Sequence, residues 1–266
     1  MIADKLCYWS RKMSSGTVLG KIARLPFRLI PKRAVLPILS GPSKGLKWMV
    51  RSTEYGWWTG TVELEVQRAF CESVKSGDVV YDIGGNVGFY TLLASRLVGS
   101  AGKVVTIEPV PANLAFLRRH IALNGCDNVD VLDVVVTSES GDATLVLVPV
   151  SHIPSFPLAS IMHKEIDGHY AGSQIRVRAT TLDDIVLDGA YPPPNFIKMD
   201  IEGAECRALE GGRKTISRFK PKILLSVHGD KIKQKCLAIF DSLNYRCCPL
   251  EVGRVKREDE LLCVPR

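Results

Sequence analysis

The sequence lacks the features that mark several common functional classes. Its eight cysteines include no C-x-x-C pair, which argues against a zinc site and a disulfide framework and favours reduced thiols in a cytoplasmic protein. No apolar run approaches the roughly 18 residues of a membrane-spanning helix. The first residues contain neither an uninterrupted apolar core nor a small-residue cleavage site, so we expect no secretory signal.

A dinucleotide fingerprint is also missing. The glycine-rich stretch "YDIGGNVGFYT" (81–91) would match G-x-G-x-x-G only with glycine at positions 86 and 89, which hold Asn86 and Phe89. A bound pyrophosphate is therefore not expected at this stretch.

The net charge of +7 is unevenly distributed. Residues 1–51 carry eleven Lys or Arg against Asp4 alone, whereas the rest of the chain carries 24 basic and 27 acidic residues. Apolar and basic residues are mixed in residues 1–40, a pattern that suits peripheral contact with an anionic membrane surface or attraction of an acidic substrate. The alternative is a solvated basic helix that packs on the domain by its apolar stripe. No recognised nucleic-acid-binding motif is present.

Short apolar segments alternate with amphipathic segments from Gly77 onward. The predicted strands are 78–84, 103–109, 128–136, 195–200 and 221–228, with an extended segment at 143–149 and a closing antiparallel hairpin at 245–252 and 259–265. This order predicts an α/β fold with a mostly parallel sheet and helices on both faces. We divide the chain into a basic accessory segment (1–76) and an α/β domain (77–266). An irregular insertion at 150–180 is typical of a lid.

Acidic residues end the first two predicted strands. Asp82 leads into a turn in which Gly84 and Gly88 allow close backbone approach, and Glu108 is placed to accept ribose hydroxyls. Ligands of parallel sheets bind at the carboxyl ends of the strands. An acid beside a glycine-lined crevice suits a cationic ligand that has a ribose but no phosphate, and S-adenosylmethionine is such a ligand.

The stretch "KMDIEGAE" (198–205) places one lysine and four carboxylates where a predicted strand gives way to a helix. Strand alternation sends Lys198 and Asp200 to one face of the sheet, so Lys198 is expected to be a buried countercharge. Asp200 should lie beside Asp82 at the carboxyl edge. Glu202 and Glu205 also suit a helix N-terminus, and a structural role is favoured for Glu205.

Several blocks of the chain resemble the FkbM-type family of S-adenosylmethionine-dependent methyltransferases. They are "VVYDIGGNVGFYTLLAS" (79–95), "VVTIEPVPANLAFLRRHIALNG" (104–125), "TTLDDIV" (180–186) and "FIKMDIEGAECRALEGG" (196–212), with weaker similarity in "GPSKGLKW" (41–48) and "WTGTVELE" (58–65). The resemblance implies a class I, Rossmann-like fold with a seven-stranded sheet and methyl transfer to hydroxyl oxygens of macrolide or sugar-type acceptors. Gly85 stands where alanine is usual, and we expect this difference to matter little sterically.

The candidate site residues follow from these motifs. The expected cofactor-binding residues are Asp82, Gly84, Asn86, Gly88, Thr91, Glu108, Pro109, Asn113 and Asp200. The expected catalytic residues are Lys198, Asp200 and His228, with either Asp200 or His228 as the general base that an alcohol acceptor requires. The expected substrate-binding residues are Glu202, Ser160 and Trp58, although core packing is at least as good an interpretation for Trp58.

Two further expectations concern histidine and metal. His120 is placed on a helix surface by its spacing, and no complete ligand set for a metal is visible, although a divalent ion on Asp200 stays open.

The sequence thus predicts an enzyme that uses S-adenosylmethionine to O-methylate a glycan, glycolipid or polyketide-like acceptor. One alternative is an RNA or other N-methyltransferase that uses the basic N-terminus. An enzyme that methylates nucleobase amino groups would typically carry N-P-P-Y at the end of strand 195–200, where this chain has M-D-I-E. The other alternative is a non-catalytic, membrane-docked scaffold that binds the cofactor.

Overall fold

The computed structural model describes residues 30–31, 34–53, 55–149, 157–161, 173–252 and 255–266. Its strands are β1 (Val35–Pro37), β2 (Lys47–Met49), β3 (Val79–Ile83), β4 (Lys103–Ile107), β5 (Val129–Leu132), β6 (Val135–Val136), β7 (Gly141–Pro149), β8 (Pro157–Ile161), β9 (Ser173–Thr180), β10 (Phe196–Met199), β11 (Lys222–Ser226), β12 (Tyr245–Val252) and β13 (Val255–Pro265). Its α-helices are α1 (Tyr55–Thr59), α2 (Leu64–Ser73), α3 (Phe89–Val98), α4 (Pro111–Asn124), α5 (Leu182–Leu187), α6 (Glu205–Glu210), α7 (Arg213–Phe219) and α8 (Asp230–Ser242). Within these described ranges, no helix combines the length and the apolar character that crossing a bilayer requires. Most of the basic segment 1–40 lies outside the described residues, so its predicted membrane contact stays a prediction.

The main sheet has seven strands in the order β12-β13-β11-β10-β3-β4-β5. Strands β11, β10, β3, β4 and β5 are parallel, whereas β13 runs antiparallel to β11 and pairs with β12 at the edge. The chain moves from β3 outward to β5 and later returns to the opposite side of β3, so the strand order reverses between β3 and β10. Ligand sites in such sheets lie at the carboxyl ends beside the reversal. The predicted class I fold with its mostly parallel seven-stranded sheet is confirmed.

Strand alternation divides the buried residues between two layers. Tyr81, Ile83, Ile197 and Met199 pack on the face covered by α5, α6, α7 and α8. Val80, Val104 and Phe196 pack on the opposite face, against α2, α3 and the chain before β3. Asp82 and Lys198 alternate with the first set and are paired across β3 and β10. These two charged side chains therefore lie in the second layer, as the alternation predicts.

A separate four-stranded sheet, in the order β6-β9-β7-β8, forms from residues that follow β5. It includes β8 and β9, so the described part of the segment 150–180 is not irregular as predicted. The sequence carries a signal for β9, because the apolar residues Ile175, Val177 and Ala179 alternate with Arg176 and Arg178. In the structure the first two are partly buried, Ala179 is buried and both arginines are exposed. Its role as a lid stays a prediction.

His120 is fully buried, which corrects its predicted place on a helix surface. The β1–β2 hairpin covers this face of α4, and the ring of Trp48 stacks on the imidazole with 3.9 Å between centroids. Nδ1 donates to the carbonyl of Val87 at 2.7 Å, and Nε2 accepts from the backbone N–H of Met49 at 3.0 Å. Both contacts require the neutral imidazole with its proton on Nδ1.

A disulfide joins Cys247 to Cys263, which corrects the expectation that all thiols are reduced. The two residues face each other in the antiparallel register of β12 and β13. Motif spacing could not reveal this pair, because only the hairpin register brings the two positions together.

The glycine turn after β3 is tighter than the sequence suggested. A Cβ added at Gly85 would lie 2.1 Å from Oγ1 of Thr106 on β4. That hydroxyl lies 3.0 Å from the hydroxyl of Thr91, which itself donates to Asp82. The expectation that alanine and glycine are sterically interchangeable at position 85 is therefore wrong for this chain.

We predict that acid weakens the fold through His120. Burial lowers the pKa of His120 to about 4, from about 6.5 in the unfolded chain. The unfolded chain therefore binds more protons between these values, and the free energy of unfolding falls as the pH falls from about 6.5 to about 4. We expect a loss of about 2 kcal/mol between about pH 7 and about pH 5, measured by denaturant unfolding.

His120→Gln is the matched variant, because an amide can still donate to Val87 and accept from Met49 without titrating. The difference between wild type and this variant isolates the histidine from other titrating groups. Parallel pH profiles for the two proteins would contradict the assignment.

We predict that Gly85→Ala lowers the free energy of unfolding by about 1–3 kcal/mol, the usual cost of overpacking. Adding Thr106→Ala should recover most of that loss, because it removes the clashing hydroxyl. Thr106→Val keeps an atom in the same place and should not rescue. A Gly85→Ala protein as stable as wild type would show that the turn relaxes without cost.

Candidate active site

The carboxyl edge of the main sheet collects acidic residues from neighbouring strands. Asp82 is the next-to-last residue of β3, Glu108 directly follows β4, and Asp200 directly follows β10. Asp82 is paired with Lys198 in the β3–β10 register. His228 follows β11, the strand next to β10. The structure thus places these predicted site residues along one edge, at the point where the strand order reverses.

The side chain of Asp82 is held by a hydrogen bond from helix α3. Its Oδ2 accepts from the Thr91 hydroxyl at 2.6 Å, and the side chain is only 2% exposed. Burial raises the pKa of Asp82, while Lys198 and the Thr91 hydroxyl act in the opposite direction. The chain then turns through Gly84 and Asn86, both with positive φ, of 89° and 49° respectively. Glycine suits this conformation, and asparagine tolerates it better than most residues.

Glu108 is the most completely bonded acid of the edge. One oxygen accepts from the backbone N–H of Asn86 at 2.9 Å, and the other accepts from the N–H of Val110 at 2.9 Å and from Nδ2 of Asn113 at 3.2 Å. These three hydrogen bonds lower the pKa of Glu108, but burial outweighs them and raises the pKa to about 7. Glu108 therefore fixes the glycine turn to the start of α4 and keeps a carboxylate at the crevice. Pro109 follows it and is half-buried.

Lys198 is 2% exposed on the central strand β10. Its Nζ lies 3.3 Å from Oδ2 of Asp200 and 4.7 Å from the centroid of the Tyr90 ring. Burial favours the neutral amine and lowers the pKa of Lys198. Four nearby acids outweigh burial and raise this pKa; in order of decreasing influence they are Asp200, Glu63, Glu260 and Asp82. Lys198 is therefore a buried ammonium whose charge these acids compensate, as the sequence predicted.

Two of those compensating acids were missed by the sequence analysis. Glu63, at a positive φ of 44° before α2, accepts from the Tyr90 hydroxyl at 3.0 Å. Glu260, on β13, accepts from the Ser226 hydroxyl at 2.8 Å, and burial raises its pKa to about 7. The block "WTGTVELE" contains Glu63 and could have pointed to it. No local signal marked Glu260, because only the pairing of β13 with β11 brings it to the edge.

His228 lies among three acids of the "KMDIEGAE" stretch. Its Nδ1 lies 2.8 Å from Oε1 of the fully buried Glu205. Its Nε2 lies 3.3 Å from Oε2 of Glu202 and 3.7 Å from Oδ1 of Asp200. The hydrogen bond to Glu205 is the largest influence and, with Glu202 and Asp200, raises the pKa of His228 to about 9 despite burial. His228 at pH 7 is therefore cationic and ion-paired.

The three predicted substrate-binding residues lie in different parts of the structure. Glu202, at a positive φ of 52°, lies at the edge with Asp200 and His228. Trp58 is 1% exposed within the layer that includes Trp48 and Phe70, which favours core packing over stacking on an acceptor. Ser160 lies in β8, paired with Val146 of β7, and its side chain is outside the described residues.

Comparisons with known proteins agree with this architecture. A family model described as the methyltransferase FkbM domain matches residues 82–247. The hexuronic acid methyltransferase AglP of Haloferax volcanii is 27% identical over 201 residues, which cover 73% of this chain and 77% of that protein. The 31-O-demethyl-FK506 methyltransferase FkbM of Streptomyces tacrolimicus is 26% identical over 163 residues, which cover 52% of this chain and 60% of that protein.

Solved structures of methyltransferases are also similar. The methyltransferase FkbM of Methylobacillus flagellatus KT has a TM-score of 0.47 and 18% identity, covering 80% of this chain and 56% of that chain. The O-methyltransferase of Bacillus cereus, solved in complex with SAH, has a TM-score of 0.45 and 16% identity, covering 76% of this chain and 79% of that chain. Because the family model spans more than half of the sequence, the chain belongs to the FkbM family of S-adenosylmethionine-dependent methyltransferases.

Proposed function

We propose that this chain O-methylates a hydroxyl group of a glycan, glycolipid or polyketide-like acceptor. The observation that carries the proposal is the convergence of Lys198, Asp200 and His228 at the carboxyl edge, next to the strand that bears Asp82. The printed names of the two relatives, a hexuronic acid methyltransferase and a 31-O-demethyl-FK506 methyltransferase, support a sugar or macrolide class of acceptor.

The residues present fit the methyl donor. S-adenosylmethionine, when bound, supplies an electrophilic methyl group on a positively charged sulfur. The chain offers a tight turn at Gly84 and Gly88, whose positive φ angles glycine adopts without strain. Glu108 would accept the ribose hydroxyls, and the buried negative charge of Asp82 would favour the cationic donor. Thr91 and Asn113 hold these two acids in place.

The acceptor side of the edge can position a hydroxyl and take its proton. Asp200 and His228 lie within ion-pair distance of each other. Because His228 already carries its proton at pH 7, Asp200 is the member of the pair that would act as the base, and His228 would hold it in position. Asp200 would take the proton of the acceptor hydroxyl as the oxygen gains the methyl group, and the donor sulfur would keep the electron pair of the broken sulfur–methyl bond and leave as a neutral thioether. Lys198 neutralises the excess negative charge of the acids. Correct orientation of the acceptor lowers the activation barrier by several kcal/mol.

We predict that Asp82→Asn and Glu108→Gln weaken the binding of S-adenosylmethionine by roughly tenfold or more, about 1.4 kcal/mol. Each change replaces a buried carboxyl group, at the edge proposed for the donor, with a neutral amide. Isothermal titration of the donor into the full chain measures the effect. Asp127→Asn and Glu72→Gln, which remove exposed carboxylates before β5 and before β3 respectively, serve as matched controls. Unchanged affinity in both site variants would remove these acids from the donor site.

We predict that His228→Ala and Asp200→Asn lower turnover by about 100-fold or more, the usual range for general acid–base catalysis, while donor affinity changes much less in His228→Ala. Product mass spectrometry with hydroxyl-bearing sugars, hexuronic acids and macrolides identifies the methylated acceptor. Methylation of RNA or of an amine instead of these acceptors would favour the N-methyltransferase alternative. Donor binding without transfer to any acceptor class would favour the scaffold alternative.

A further inference from the structure

Asp200, Glu202 and His228 form a cluster of potential ligand atoms at the acceptor side of the edge. One atom from each residue lies within 4.8 Å of the others. The two carboxylate oxygens nearest to Nε2 of His228 are Oε2 of Glu202 at 3.3 Å and Oδ1 of Asp200 at 3.7 Å. This nitrogen and two oxygens from two different loops face one small volume.

The imidazole of His228 is oriented as in a metal site. Its Nδ1 is bonded to the carboxylate of Glu205 at 2.8 Å, so Nε2 is the ring nitrogen that faces the cluster. Ligating histidines almost always donate their other ring N–H to a carboxylate, a carbonyl or a water, and this contact fixes the tautomer and the ring plane. Glu205 is 0% exposed, so the surrounding protein fixes its carboxylate and solvent water cannot compete for the contact with His228.

The same carboxylate also holds the loop that carries Glu202. Oε1 of Glu205 accepts from the backbone N–H of Gly203 at 3.0 Å in addition to its contact with His228. Its other oxygen, Oε2, is buried and has no hydrogen-bond partner among the residues that the structure describes. One buried acid therefore sets the position of two members of the cluster before any ligand binds.

A divalent cation would displace the proton that Nε2 of His228 carries at pH 7, and its charge would then compensate the neighbouring carboxylates. Asp200 divides its two oxygens, with Oδ2 at 3.3 Å from Lys198 and Oδ1 turned toward His228. Lys198 is already shared among Asp200, Glu63, Glu260 and Asp82. Glu202 has no lysine or arginine within salt-bridge distance among the described residues. The side chains of Asp200, Glu202 and His228 are 32%, 33% and 36% exposed, so open coordination positions would face the acceptor.

We propose that Asp200, Glu202 and His228 bind one divalent cation, and that this cation holds the acceptor hydroxyl beside the donor methyl group. Two carboxylate oxygens and one imidazole nitrogen with open positions suit a divalent cation such as Mn²⁺. Glu205 is the positioning residue of the site, acting through His228 and Gly203. The role of the cation in holding the acceptor rests on the proposed function, whereas binding of the cation does not.

The test is titration of the full chain with Mn²⁺ alone, after treatment with a chelator. Free Mn²⁺ is measured by electron paramagnetic resonance, and a coordinated imidazole nitrogen is detected by electron spin echo modulation. We expect one Mn²⁺ per chain with a nitrogen signal. His228→Ala should abolish that signal and, like Glu202→Gln, weaken binding by at least about tenfold. Glu205→Gln should weaken binding by about tenfold or more while the nitrogen signal persists.

Glu72→Gln is the matched control, because it removes an exposed carboxylate at the amino-terminal side of the sheet and should bind Mn²⁺ as wild type does. Thermal unfolding of each variant verifies that it is folded. The partly exposed His228 keeps the test informative even if the buried Glu205 variant fails to fold. A wild-type chain without stoichiometric Mn²⁺, or a folded His228→Ala protein that binds Mn²⁺ as tightly as wild type, would overturn the site.

The readout separates this proposal from the proposed function. A chain that methylates hydroxyl acceptors at full rate in chelator and binds no Mn²⁺ retains the function and loses the cation. A chain that binds Mn²⁺ through His228 but transfers no methyl group to oxygen retains the site and loses the function.

Discussion

The ammonium group of Lys198 is the charge on which the carboxyl edge depends. Burying an unpaired ammonium on a central strand costs several kcal/mol, so this position is stable only with acids around it. Those acids come from four different segments, represented by Asp82, Asp200, Glu63 and Glu260. Each segment must therefore be in its native place before the charge is compensated. The requirement ties the hairpin β12–β13 and the loop before α2 to the same edge that carries the chemistry.

The parts of this arrangement that depend on local pattern could be predicted from the sequence. Alternation along β10 separates Ile197 and Met199 from Lys198, and the order of βα units fixes the parallel sheet and its carboxyl edge. Both periodicities are properties of neighbouring residues. The edge positions of Asp82 and Glu108 follow from them, since each acid ends a strand.

The parts that depend on tertiary packing could not be predicted. Glu260 reaches Lys198 only through the register of β13 with β11, and the contact between Cys247 and Cys263 also requires a register. His120 has the spacing of a surface residue, yet the β1–β2 hairpin covers it. The clash at Gly85 depends on the side chain of the next strand. In each case the deciding partner is distant in sequence and carries no motif.

The burial of His120 has a consequence for the way the molecule opens. The hairpin of residues 34–53 contacts α4 through the Met49 N–H, the Trp48 stack and two hydrogen bonds between Lys47 and Asn124, and only the first two contacts involve His120. A proton added to Nε2 removes the acceptor that Met49 uses. Mild acid would then lower the free energy needed to open this hairpin, so its amides would exchange hydrogen more readily relative to those of β3, β4 and β10. The β1–β2 hairpin would then gain more from acid in its rate of amide hydrogen exchange than the main sheet does.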